Sequence, residues 1–272
     1  MQINLEFADR HVVVFGGTTG INLGIAKAFA RQHARVTVVS RKRDNVHAAC
    51  EALAEYGGQV NGVCADVRDF DAVGQGLAAS VAVFGDIDVL VSGAAGNFLC
   101  EAKGMSSNGF KAVIDIDLVG TFHVLRQAFA HMRKPGGVVI NVTAPQSSIP
   151  MRYQAHACAA KAGIDQLTRV LALEWGQFNL RVNAISPGPI ADTEGFKRLL
   201  ADGDQDAAQC ADNVPLKRLG EADDIANLAL FLASPFASYI SGAVIPCDGG
   251  GALDSVKPML EAAGLRAMQA SI

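Results

Sequence analysis

The chain of 272 residues has no long uninterrupted apolar run, no paired-cysteine motif and no excess of positive charge. A bilayer-spanning helix needs about 20 consecutive apolar residues. No stretch approaches that length, so no membrane partner is expected. Lysine and arginine total 23 against 27 acidic residues, a formal net charge of -4. A protein that binds nucleic acid or an anionic bilayer carries a basic patch or stripe, and neither partner is expected here. The six cysteines (Cys50, Cys64, Cys100, Cys158, Cys210, Cys247) are widely spaced. Without ligand spacing they suggest no metal, and they read as reduced thiols of a cytoplasmic protein. The N-terminal residues lack the basic and apolar blocks of a secretory leader. The C-terminal Ala-Ser-Ile is not the Ser-Lys-Leu peroxisomal address. The cytoplasm is therefore the expected location.

What is present is half apolar residues, arranged in alternating patterns. Short runs rich in Val and Ile occur at His11–Phe15, Arg35–Val39, Val60–Cys64, Ile87–Val91, Val138–Val142, Arg181–Ile185 and Ala243–Ile245. They lack in/out alternation, as parallel strands buried on both faces do. Between them lie segments of helical character: Ile21–His33, Arg43–Tyr56, Phe70–Phe84, Gly109–Met132, Tyr153–Phe178 and Ala222–Leu232. The alternation predicts an α/β fold, a single Rossmann-like doubly wound parallel sheet with helices on both faces. One domain over residues 1–272 is expected, with a short tail from about 254. Pro187–Val214 is long for a loop and reads as a lid with short helices.

The first strand runs into Gly16-Gly17-Thr18-Thr19-Gly20-Ile21-Asn22-Leu23-Gly24. Glycines there let the chain turn sharply and let backbone N–H groups approach a pyrophosphate at a helix N-terminus. The spacing differs from G-x-G-x-x-G. At the end of the second strand, where an NAD site wants an acidic residue, stand Ser40, Arg41, Lys42 and Arg43. Cations at a helix N-terminus oppose the macrodipole unless an anion is bound, and Arg grips phosphate bidentately. This combination favours NADPH over NADH.

Several further segments complete a pattern: Asp66-Val67, Ala94-Ala95-Gly96, Lys161 on a long helix, Arg181-Val182-Asn183, Pro187-Gly188 and Asp248-Gly249-Gly250. Together with the glycine turn they resemble the short-chain dehydrogenase/reductases from about residue 8 to 253. The resemblance implies that Asp66 meets the adenine and that Lys161 holds the nicotinamide ribose. Pro187, Ile190 and Thr193 would frame the nicotinamide, and Val67, Ala94, Ala95, Gly96, Thr143 and Gly188 would complete the cofactor site. It also implies a homotetramer with Gly109–Met132 and Tyr153–Phe178 at its interface.

The catalytic centre departs from that family. Its Tyr-x-x-x-Lys reads Ala157-Cys158-Ala159-Ala160-Lys161 here, its Ser is Ala144, its Asn is Asp117, and Asn22 replaces the third turn glycine. Alanine has no side-chain proton to donate. Tyr153 lies eight residues before Lys161, off the i, i+4 spacing that the role requires. Ala94–Cys100, Asp115-Ile116-Asp117 before Gly120-Thr121-Phe122, His156-Ala157 and Thr193-Glu194-Gly195 are similar to the 2,4-dienoyl-CoA reductases, especially those of peroxisomal type. That likeness implies an acyl-CoA substrate, with Asp117 and Lys161 as the catalytic pair and water as the proton source. Asn97, Phe98, His156 and Arg198 are candidate substrate contacts. A carbonyl reductase with a non-standard acid, or a cofactor-binding subunit without catalysis, remain the alternatives.

Overall fold

The computed structural model describes residues 7–193, 196 and 203–253. Seven strands form one parallel sheet: β1 (His11–Phe15), β2 (Arg35–Ser40), β3 (Val60–Cys64), β4 (Val89–Ser92), β5 (Val138–Val142), β6 (Arg181–Pro187) and β7 (Val244–Cys247). Their order is β3-β2-β1-β4-β5-β6-β7. The chain reverses direction across the sheet between β1 and β4, and a doubly wound sheet binds its ligands at that switch point.

Each predicted strand is present, shifted by at most two residues at an end. The apolar runs follow from burial on both faces. Along β1, Val12 and Val14 point into one core with Ile25, Phe29, Ile225 and Leu230. Val13 and Phe15 point into the other with Leu77, Val124, Leu171 and Trp175. That is the period-two alternation of a strand with a helical layer on either side. The edge strands β3 and β7 are only partly buried.

The helices are α1 (Gly20–Arg31), α2 (Arg43–Ala54), α3 (Phe70–Phe84), α4 (Ser107–Ile114), α5 (Gly120–Ala128), α6 (Ala155–Trp175), α7 (Gly203–Asn213) and α8 (Ala222–Ala233). Asp69 caps α3 by accepting from the N–H groups of Asp71 and Ala72, and Ser106 caps α4 through Gly109. Gly24 lets α1 lie against α8; a Cβ there would sit 2.6 Å from that of Ala222.

The segment read as one helix over Gly109–Met132 is not continuous. It divides into α4, a π-helical turn at Asp115–Val119, and α5, which ends at Ala128. Helical periodicity in a sequence does not register one widened turn, and such turns occur frequently at functional sites. The long segment Pro187–Val214 holds a helix, α7, among its described residues, as its length suggested. The tail from about 254 lies outside the described residues. Among the described residues no helix is long and apolar enough to cross a membrane.

Candidate active site

At the C-terminal end of β1 the chain turns through Gly16, at φ +73°, and Gly20, at φ +53°. Both are in the left-handed region that favours glycine. A Cβ on Gly16 would also lie 3.0 Å from the Ala94 nitrogen, so the turn sits close against the loop after β4. Thr19 is the N-cap of α1 but makes no side-chain cap, and the first turn carries no acidic residue. The helix N-terminus formed by Gly20, Ile21 and Asn22 thus keeps its donors and dipole for an anion. Thr18 is buried beneath it. The Asn22 amide donates to the Gly93 carbonyl at 2.7 Å, tying the turn to the end of β4.

Beyond Ser40 a cavity of about 630 Å³ is lined by Arg41, Lys42, Cys64, Ala65, Asp66 and Ala72. Asp66 accepts a two-pronged contact from Arg68, whose guanidinium holds the carboxyl below its ordinary range. Arg68 was not anticipated, although its position two residues after Asp66 is the available signal. The glycine turn, the uncapped helix and this basic cavity lie at the carboxyl ends of β1, β2 and β3. The phosphates of a dinucleotide fit that donor set. Val67 is buried and packs on Gly120.

Asp117 lies in the π turn and is 1% exposed. Its Oδ1 accepts the Gly96 N–H at 2.7 Å, and its Oδ2 stands 3.4 Å from the Lys161 Nζ. Lys161, also buried, donates to the Val142 carbonyl at 3.3 Å, and the Thr143 hydroxyl lies 3.5 Å from the Lys161 carbonyl. An aspartate in mid-helix is more often solvated, whereas this one forms a buried ion pair held by a backbone donor. Such a pair can orient a water and steady a developing negative charge.

The loop after β4 continues this site. Ala94, Ala95 and Gly96 lead to Asn97, whose amide donates to Gln154 Oε1 at 2.7 Å. Gln146 donates to the same oxygen at 3.1 Å. Phe98 stands edge-on to His156, with ring centroids 4.4 Å apart. The sequence reading missed Gln154; a lone glutamine before a helix carries no signal until its two amide partners are seen. Tyr153 adopts φ +65°, a strained conformation for a bulky residue, and its carbonyl accepts the Cys100 N–H.

On the far side of the cleft, Gly188 needs its missing side chain, since a Cβ would meet Asp248 at 2.6 Å. Pro187 ends β6, Ile190 is buried, and the Thr193 hydroxyl donates to the Ile190 carbonyl at 3.0 Å. A Cβ on Gly20 would lie 3.5 Å from the Thr193 methyl, so this segment closes over the glycine turn. Arg198 lies outside the described residues.

The family model described as Enoyl-(Acyl carrier protein) reductase matches residues 16–251. A peroxisomal 2,4-dienoyl-CoA reductase, (3E)-enoyl-CoA-producing, from Pongo abelii is 42% identical over 89% of this chain and 83% of its own length. A probable 2,4-dienoyl-CoA reductase, (2E)-enoyl-CoA-producing, from Bacillus subtilis is 39% identical over 88% of this chain and 95% of its own. Among solved structures, levodione reductase superposes with a TM-score of 0.87 at 31% identity, covering 91% of this chain and 99% of that one. A short-chain dehydrogenase from Bacillus anthracis superposes with a TM-score of 0.80 at 35% identity, covering 89% and 96%.

Proposed function

The chain belongs to the short-chain dehydrogenase/reductase family and is an oxidoreductase, and from that premise we propose that it reduces 2,4-dienoyl-CoA thioesters to 3-enoyl-CoA. The observation that carries this reading is the buried Asp117–Lys161 pair beside Ala157, which stands where the family places its tyrosine acid. Family members use a nicotinamide cofactor, and we take it to be NADPH. The bound cofactor supplies a hydride.

Gly16, Thr18, Thr19, Gly20, Ile21 and Asn22 would hold the pyrophosphate. Ser40, Arg41 and Lys42 would hold the 2′-phosphate, Asp66 would meet the adenine, and Lys161 would hold the ribose. The segment from Pro187 to Thr193 would enclose the nicotinamide. Lys161 would stabilise the negative charge that develops on the thioester oxygen when the δ-carbon is reduced. Asp117 orients a water whose proton goes to the α-carbon. Asn97 and Phe98 border the thioester. Residues 1–272 act as one catalytic domain in a homotetramer. Cysteines without paired spacing fit a reducing compartment, and we place the protein in the cytoplasm.

The test is NADPH oxidation against a panel of 2,4-dienoyl-CoA thioesters and simple ketones in D₂O. The expected result is turnover of the thioesters, with deuterium at the α-carbon and a 3-enoyl product. A 2-enoyl product would put protonation at the γ-carbon. Rapid ketone reduction without thioester turnover would make the protein a carbonyl reductase.

A further inference from the structure

The residue beside Ala157 has a chemistry of its own. His156 is fully buried in the first turn of α6. Its Nδ1 accepts the Ala157 backbone N–H at 2.7 Å. That nitrogen is therefore unprotonated, and a neutral imidazole with this acceptor carries its proton on Nε2. Burial lowers the pKa of the ring, against an opposing pull from the Asp117 carboxylate. The helix adds to this: α6 has no side-chain cap and no acidic residue in its first turn, and its positive end disfavours an imidazolium. A neutral imidazole at a helix N-terminus is a competent donor to a carbonyl oxygen.

The Phe98 backbone also acts on the ring as an acceptor and pulls its pKa up, but it forms no well-aligned hydrogen bond with the ring. Among the described residues the buried Nε2 makes no hydrogen bond of ordinary geometry, a costly arrangement that a native fold keeps only for a reason. Asn97 Oδ1 and Gln146 Oε1 are likewise buried and unpartnered. The loop that covers the ring also holds the ion pair, because Gly96 donates to Asp117 and Phe98, two residues on, stacks edge-on against His156. Phe98 is itself 41% exposed, so it can move aside without unpacking the core.

We propose that His156 donates a hydrogen bond through Nε2 to the thioester carbonyl oxygen, an interaction that Ala157 cannot supply. The inference rests on the dienoyl-thioester reading. The proton stays on Nε2 throughout; His156 polarises the carbonyl and steadies the charge that forms there, while Asp117 and Lys161 arrange the water. Phe98 covers the donor until substrate enters.

The experiment uses the full chain with NADP⁺, which cannot reduce the substrate, and a 2,4-dienoyl-CoA carrying ¹³C at the carbonyl. Infrared difference spectra read the thioester C=O stretch. The native protein and His156→Gln, whose amide retains a donor, should lower the frequency relative to free substrate. His156→Leu should lose most of that shift, with kcat down by about 10²–10³-fold and NADPH affinity little changed. Full retention of the shift in His156→Leu overturns the proposal, as does a native complex with no shift. Failure of the native protein to bind the dienoyl thioester at all instead removes the substrate reading, and this inference with it. Should His156→Leu not fold, ¹⁵N-histidine spectra of the native protein decide: the Nε2 proton moves downfield on adding substrate, and an unmoved resonance overturns the assignment.

Discussion

Arg41 and Arg68 both stand near Asp66, and their tasks differ. Arg68 closes on the carboxylate, whereas Arg41 is the weakest contributor to its lowered pKa. Arg41 lines the cavity beyond β2 and is exposed there. A charge-assisted hydrogen bond contributes about 1.5–3 kcal/mol, so Arg41→Ala should weaken NADPH binding roughly 10–100-fold in a fluorescence titration. NADH binding should change little; equal loss for both would show that Arg41 does not read the phosphate. At the ion pair, Asp117→Asn keeps an oxygen for the Gly96 N–H and removes the charge facing Lys161. It should lower kcat by about 10²–10⁴-fold, the usual contribution of a positioned acid or base. NADPH affinity should stay near native, and an unaffected kcat would remove Asp117 from the mechanism. These two positions were legible in the sequence because each stands at a fixed offset from a motif. The His156 tautomer was not, because it depends on one backbone N–H meeting Nδ1. Nor was the Gln154 junction, which forms between segments far apart in sequence.

The element that delivers Asp117 is the π turn, and the sequence read straight through it. Strands were legible because burial on both faces leaves a continuous apolar run, as in the fully buried β1, β4 and β5. A widened turn between α4 and α5 leaves no such trace, since both flanks keep helical residues. Gly120 ends that turn, and its missing side chain lets the helix approach the loop after β3. A Cβ would sit 2.6 Å from the Val67 Cγ2 and 2.9 Å from its Cβ, with the Asp115 carbonyl at 3.3 Å. The Val67 Cβ is fixed to the backbone, so rotation of the side chain does not relieve the contact. Overpacking of this kind costs about 1–3 kcal/mol, and each kcal/mol lowers Tm by roughly 2–4 °C in a chain of this order of size. Gly120→Ala should therefore lower Tm in a calorimetric scan and reduce kcat, because it shifts the turn carrying Asp117. Gly104→Ala is the control, with nothing within 4 Å of its added Cβ. Equal melting of the two variants would mean that Val67 yields freely and that the turn is not held by this contact.

Across the whole molecule, α5 and α6 present apolar side chains outward as well as toward the sheet. Leu171 and Trp175 of α6 enter the core, while Leu173 remains 83% exposed and Val170 is exposed one turn earlier. Residues three apart share a helix face, so these two form one outward stripe. Phe122 is exposed on α5. Isolated apolar residues at a surface need no explanation, but a stripe along a long helix points to a covering surface. The tetramer we propose would provide it, with a second copy of the chain against α5 and α6. Fully burying a leucine is worth about 1.5–3 kcal/mol, and symmetry repeats the gain at each copy of the interface. Leu173→Arg reverses it by placing an unpaired charge there. Light scattering coupled to gel filtration should therefore find the native chain as a tetramer at micromolar concentration. Leu173→Arg should elute as a smaller species that binds NADPH normally per chain, because the glycine turn and the basic cavity lie on other elements. A native monomer would rule out the tetramer, and a tetrameric Leu173→Arg would move the interface away from α6. The partly buried edge strand β7 is then the place to look, since an edge unpaired among the described residues offers its own backbone donors and acceptors to a partner.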